Sequence, residues 1–160
     1  MTDSATSCAL PSEVATAQLG AAIAEVLAPG DCVLLDGALG AGKTALVRAI
    51  LRGLAADPGL DVPSPTFTLV QSYEVLHPQH GPFTVSHFDL WRLTGPDGLE
   101  ELGWDDAREG VVLVEWPERL ETLRPGRALC IHIELGGEAE ARVVRLSGAP
   151  MPAIPAIWPR

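Results

Sequence analysis

Residues 37 to 44, Gly-Ala-Leu-Gly-Ala-Gly-Lys-Thr, constrain what this chain can fold into more than any other stretch. They fit G-x-x-x-x-G-K-[ST] without a mismatch. The context fits too. "CVLLD" (32–36) is a short continuous apolar run, as expected of a strand buried on both faces. "KTALVRAILRGLAA" (43–56) reads as a helix with Leu46, Ile50 and Leu54 at helical spacing. A strand, a glycine-rich turn and a helix opening on Lys-Thr make a phosphate cradle. Glycines let the backbone curl so that successive N–H groups point inward. The helix N-terminus adds partial positive charge. Lys43 supplies a flexible point charge for the outer phosphates, and the Thr44 hydroxyl is a ligand for Mg²⁺.

Lys43 is the only lysine among 160 residues; the other ten basic residues are arginines. A planar guanidinium does not fit the small space between loop and phosphate as an ammonium does. The same count narrows the base. Guanine recognition through [NT]KxD needs a lysine, and none remains, which favours ATP.

The length predicts one domain, and 47% apolar with 20% charged residues is ordinary for a globular chain. A formal charge of −10 repels phosphate backbones, so a broad nucleic-acid surface is not expected. Cys8, Cys32 and Cys130 lack metal-ligand spacing and read as reduced core thiols in a cytoplasmic protein. "MTDSATSCALPSE" lacks a basic n-region and an apolar h-region, so no signal peptide is expected. No apolar run is long enough to span a membrane.

The expected organisation is a flexible leader at 1–11, a nucleotide-binding domain at 12–148 and a Pro-rich irregular tail at 149–160. Ser12 caps a helix over about 13–28, with Val14, Leu19, Ile23 and Leu27 on one side. "TFTLVQSYEV" and "FTVSHFDLW" read as antiparallel strands, followed by a short helix near Asp97 to Leu102. "VVLVE" (111–115) is a second buried strand, and "ALCIHIEL" with "ARVVRLSG" forms a final antiparallel hairpin. The fold class is therefore α/β: a P-loop NTPase-like fold with a mixed, mostly central sheet flanked by helices.

A metal-nucleotide site needs a carboxylate at the end of a neighbouring strand. Glu115 ends "VVLVE" and Asp89 ends "FTVSHFD"; either can serve the metal or orient the attacking water. Thr66 in "SPTFT" stands where nucleotide switches place a γ-phosphate sensor, and also where a Ser-Pro turn would enter a strand. His87 and His132 fit structural roles better than catalytic ones. Trp91 and Trp116 serve equally as core fillers or as anchors for a partner. "GLEELGWDD" reads as a solvated acidic face. Three classes remain at this point: an ATPase switch acting on partners, a stand-alone small-molecule kinase with Arg119, Arg124 and Arg127 offered as a lid, and a nucleotide sensor that does not hydrolyse.

Four segments in this order, "LLDGALGAGKTALVRAIL", "SPTFTLVQSYE", "HFDLWRL" with "GLEELGWDD", and "VLVEWPERL", resemble the bacterial TsaE (YjeE) family. "LPSEVATAQLG" and "EARVVRL" match it as well, and the resemblance spans about residues 10 to 146. It implies the ATPase subunit of the tRNA threonylcarbamoyladenosine system. That subunit would work with TsaD and TsaB, which place a threonylcarbamoyl group on N6 of adenosine 37; it would touch tRNA only indirectly. Carried over by motif, Gly37, Gly40, Ala41, Gly42, Lys43, Thr44 and Ala45 bind ATP or ADP. Thr44 and Glu115 hold Mg²⁺, Asp89 supports metal or water, and Thr66 belongs to the switch. Trp116 matches the family's tryptophan. Glu13 and Thr16 match a segment near the adenine, and Arg142 a late arginine near the nucleotide. Two positions depart from the pattern: Ala38 replaces the acid of GDLGAGKT, and Trp91 replaces the tyrosine of HFDLYR. The tail after Pro150 has no counterpart.

Overall fold

The computed structural model describes residues 5–154. Among them, seven strands build one sheet: β1 (Thr6–Leu10), β2 (Cys32–Asp36), β3 (Val70–His77), β4 (Gly81–Asp89), β5 (Val111–Glu115), β6 (Leu129–Leu135) and β7 (Arg142–Gly148). Their order is β1-β7-β6-β2-β5-β4-β3. The four middle strands, β6, β2, β5 and β4, run parallel. β7 and β1 extend the sheet antiparallel at one side, and β3 does so at the other. The expected mixed α/β architecture is therefore the observed one.

The apolar runs of the middle strands split by side-chain alternation. Val33, Leu35, Val111 and Leu113 join a core with α1 (Glu13–Val26) and α2 (Lys43–Ala55). Cys32, Leu34, Val112 and Val114 join a second core on the other face. That face is covered by two short 3-10 turns (Pro96–Gly98 and Pro117–Leu123) and by α3 (Trp104–Ala107), whose Trp104 meets Phe88 edge-on. The acids of "GLEELGWDD" are exposed, while Leu99 and Trp104 of the same run are buried.

α1 begins at Ser12, whose side chain accepts a hydrogen bond from Ala15 N at 3.2 Å, the expected cap. Its contact with α2 is made by small residues. A Cβ at Gly20 would lie 2.3 Å from that of Ala49, and one at Gly53 would lie 2.8 Å from that of Ala24. The two helix backbones therefore approach as closely as glycine allows.

Four expectations need correction. Residues 6–10 are not part of a loose leader: they form β1, pairing Thr6 with Leu146 through Leu10 with Arg142. Val14 is exposed; the buried stripe of α1 is Ala15, Thr16, Leu19, Gly20, Ile23 and Ala24. The helix expected near Asp97 to Leu102 is a 3-10 turn followed by α3. "TFTLVQSYEV" starts as a turn, with Leu69 at φ 68°, and β3 begins only at Val70. Residues 149–154 are irregular as expected, with Met151 and Ile154 packed against the core. The rest of the expected tail and the first four residues lie outside the described residues.

Candidate functional site

β2 delivers the chain to residues 37–42 at the carboxyl end of the parallel strands, and α2 starts at Lys43. All three glycines of the loop take backbone angles that side chains disfavour: Gly37 at φ 152°, Gly40 at φ 81° and Gly42 at φ 109°. A Cβ on Gly37 would also strike the carbonyl oxygen of Ile133 at 2.4 Å. Gly42 sits at the helix cap with no side chain bonded to the first-turn amides, so those donors and the helix dipole face the loop.

Lys43 is only 5% exposed. Its ammonium donates to the carbonyls of Gly37 and, at 3.2 Å, of Ala38. It also lies 4.1 Å from the centroid of the Trp116 ring. Trp116 holds that ring over the amine from a positive φ of 60°, a conformation a bulky residue adopts only when its surroundings enforce it. A short, flexible amine surrounded by carbonyls and a π face can exchange those contacts for phosphate oxygens.

Thr44 Oγ1 donates to the Glu115 carboxylate, 3.0 Å from Oε1 and 3.2 Å from Oε2. Glu115 also lies 2.6 Å from His87 Nε2 through Oε2. Asp89 registers beside Glu115 across β4 and β5. Its carboxyl is pushed above the usual range, first by burial and then by the Glu115 charge. A hydroxyl and two carboxylates in one corner form a hard oxygen set of the kind Mg²⁺ takes together with water and phosphate oxygens. Two buried carboxylates that repel each other also favour a cation between them. Among the described residues, no three His, Cys, Asp or Glu side chains gather as a protein-only metal cage.

A cavity of about 760 Å³ opens beside the loop. It lies over α1 and α2, and its lining includes Glu13, Thr16, Gly42, Ala45 and Arg142. The structure thus gathers these sequence-predicted residues around one hollow next to the glycine-rich loop. Arg142 is fixed there by its Nε, which donates to Ala41 O at 2.7 Å. Thr66 stands apart from this corner. Its hydroxyl pairs with Ser64 Oγ at 2.9 Å, and its carbonyl accepts from Trp91 Nε1 at 3.2 Å. The segment from "SPTFT" through Leu69 is tied to the β4 end through its backbone: Asp89 N donates to Leu69 O at 2.8 Å and Arg92 to Phe67 O.

Two features escaped sequence reasoning. One is the Lys43–Trp116 contact, whose signal was Trp116 directly following the strand-ending Glu115. The other is His87, which reads as a core residue by strand alternation and meets Glu115 across 28 positions of sequence. Two of the three arginines offered as a kinase lid are engaged elsewhere. Arg127 pairs with Asp31, at the opposite end of β2 from the loop, and Arg124 donates to Cys130 Sγ.

The chain matches the family model described as threonylcarbamoyl adenosine biosynthesis protein TsaE over residues 10–144. Among relatives named tRNA threonylcarbamoyladenosine biosynthesis protein TsaE, that of Rickettsia felis is 36% identical over 127 residues, covering 79% of this chain and 71% of the relative. That of Haemophilus influenzae is 33% identical over 137 residues, covering 81% and 82%. That of Synechocystis is 40% identical over 119 residues, covering 71% of each. The crystal structure of Bacillus subtilis YdiB shares the fold at a TM-score of 0.70 and 24% identity, over 94% of this chain and 89% of that one.

Proposed function

The chain belongs to the TsaE family, and from that premise we propose that it is a Mg²⁺-dependent ATPase required for threonylcarbamoylation of tRNA adenosine, acting as a nucleotide-driven switch on the transferase subunits TsaD and TsaB. The observation that carries this reading is the joining of Lys43, Thr44 and Glu115 at the carboxyl ends of β2 and β5. The loop amides and Lys43 bind the phosphates, and the hollow lined by Glu13, Thr16, Ala45 and Arg142 takes the nucleoside. Thr44 and Glu115 hold Mg²⁺, which neutralises charge on the outer phosphates when bound. Asp89 supports the metal or orients the attacking water. The Thr66 loop, held by backbone bonds rather than by a packed core, is the segment that answers to the phosphate. The protein itself transfers no threonylcarbamoyl group. It meets tRNA only through its partners and works in the cytoplasm; among the described residues, no helix is long and apolar enough to cross a membrane.

Phosphate release by the purified chain, alone and with TsaD and TsaB, tests the proposal. A low rate that rises with the partners is expected. Efficient phosphorylation of a metabolite without partners would mean a stand-alone kinase. Nucleotide binding with no phosphate release in any mixture would mean a sensor. Lys43→Ala should cut turnover by about 100-fold or more, the scale of losing a preorganised charge at the reacting group; unchanged turnover would assign the activity to a contaminant.

A further inference from the structure

His87 is fully buried, and among the described residues its one side-chain hydrogen bond runs from Nε2 to Glu115 Oε2 at 2.6 Å. Its other ring nitrogen, Nδ1, is also buried and has no partner among the described residues. Leaving a polar atom unpaired in the interior is unfavourable, and an apolar side chain would fill the same volume without that cost. The single contact that histidine gains and an apolar residue lacks is the one to Glu115.

The geometry around that contact is directional. His87, Asp89 and Glu115 lie on the face of the sheet that carries α1 and α2, because they alternate in step with Val85 and Leu113 of that core. Glu115 therefore receives Thr44 Oγ1 from the start of α2 and His87 Nε2 from within β4. Asp89 lies beside Glu115 in register, at the end of the neighbouring strand. Two donors from two elements fix both the position and the plane of the Glu115 group. The tautomer with its proton on Nε2 is the one this geometry selects. It donates to the carboxylate and leaves the bare Nδ1 as the orphan, which is less unfavourable than a buried N–H without an acceptor.

We propose that His87 is a positioning residue: it locks the Glu115 carboxylate in the orientation that serves a divalent cation beside Thr44. This rests on the metal reading given above and goes beyond it by assigning the histidine. Outer partners that hold a ligating carboxylate typically set metal affinity by 10- to 100-fold, roughly, without touching the metal.

The test uses the full chain with ADP and measures Mn²⁺ binding by electron paramagnetic resonance, alongside ADP affinity in chelator and thermal melting. The wild type binds Mn²⁺ in the presence of ADP. His87→Leu should weaken Mn²⁺ binding by about 10- to 100-fold while leaving chelator-measured ADP affinity unchanged. His87→Gln, whose amide nitrogen reaches the place of Nε2, should restore the affinity to near the wild-type value. A folded His87→Leu that binds Mn²⁺ like the wild type overturns the proposal, as does a folded His87→Gln as weak as His87→Leu. If His87→Leu shows no cooperative melt, His87→Asn decides. Its amide falls short of Glu115, so it should bind Mn²⁺ weakly, and wild-type binding by it overturns the proposal. If the wild type with ADP takes up no Mn²⁺, the metal reading itself falls, and this assignment falls with it.

Discussion

Two histidines meet carboxylates at the same end of the sheet, and their surroundings differ in nearly every respect. His87 is enclosed between β4, β5 and α2, with Glu115 as its partner. His132 on β6 lies between Asp36 Oδ2 at 3.2 Å and Glu134 Oε1 at 2.9 Å, with 40% of its side chain exposed. Water competes with the second set and is excluded from the first. A hydrogen bond in the enclosed corner fixes geometry, because no alternative partner is at hand. The exposed set mainly shifts a titration, and salt screens it. Residue type and partner type therefore predict little; the dielectric around them decides.

The largest effect should separate the two carboxylates. Glu115→Gln is expected to lower turnover by about 100-fold or more, whereas Glu134→Gln should leave it unchanged. Equal losses in the two variants would erase the contrast. Gly37→Ala strikes the hinge between the regions, since Gly37 follows Asp36 and its new Cβ would meet the Ile133 carbonyl at 2.4 Å. At a backbone angle that disfavours side chains, about 1–3 kcal/mol of stability should go, seen as a lower Tm.

Asp89→Asn sharpens the contrast from the other direction. Burial and the Glu115 charge hold the Asp89 carboxyl above its usual range. Ionising it therefore costs the fold stability above that raised value and nothing well below 3.8. The variant should melt higher at neutral pH and lose that advantage in acid, while its turnover falls. A lower neutral-pH Tm would refute the like-charge account.

The smallest effect belongs to His132. Hydrogen bonds to Glu134 and then Asp36 raise its pKa above the ordinary 6.5. The resulting stabilisation is complete below 6.5 and lost as pH rises through the raised value. His132→Gln should thus melt slightly below the wild type in acid and equal to it in base, with turnover unchanged and the difference shrinking in salt. A difference that grows with pH would reverse the assignment.

What was legible in the chain follows the range of the interactions. The glycine-rich turn, the strand before it and the helix after it are local, and all three elements stand where the residues indicated. Glu115 was legible as a candidate because it closes an apolar run, and the structure places it at the end of β5 beside Thr44. β1 was missed because "TSCAL" is a short edge strand whose partner lies at the far end of the sequence, Thr6 against Leu146. Val14 misled because a large aliphatic residue usually marks the buried side, whereas α1 buries alanines and a glycine against α2. His87 reads as a strand residue until Glu115 is placed beside it; spacing along the chain holds no trace of that meeting.

The close seating of α1 on α2 sets a tolerance for the hollow beside the loop. Glu13 and Thr16 stand on α1, Ala45 stands on α2 and Arg142 at the start of β7, so the gap between the two helical walls is gauged by the contact at Gly20 and Gly53. Two hydrogen atoms in place of two methyl groups fix the width of the opening. The shape of a hollow on the outside of the protein is thus machined from within, by residues that line a seam and carry no chemistry of their own.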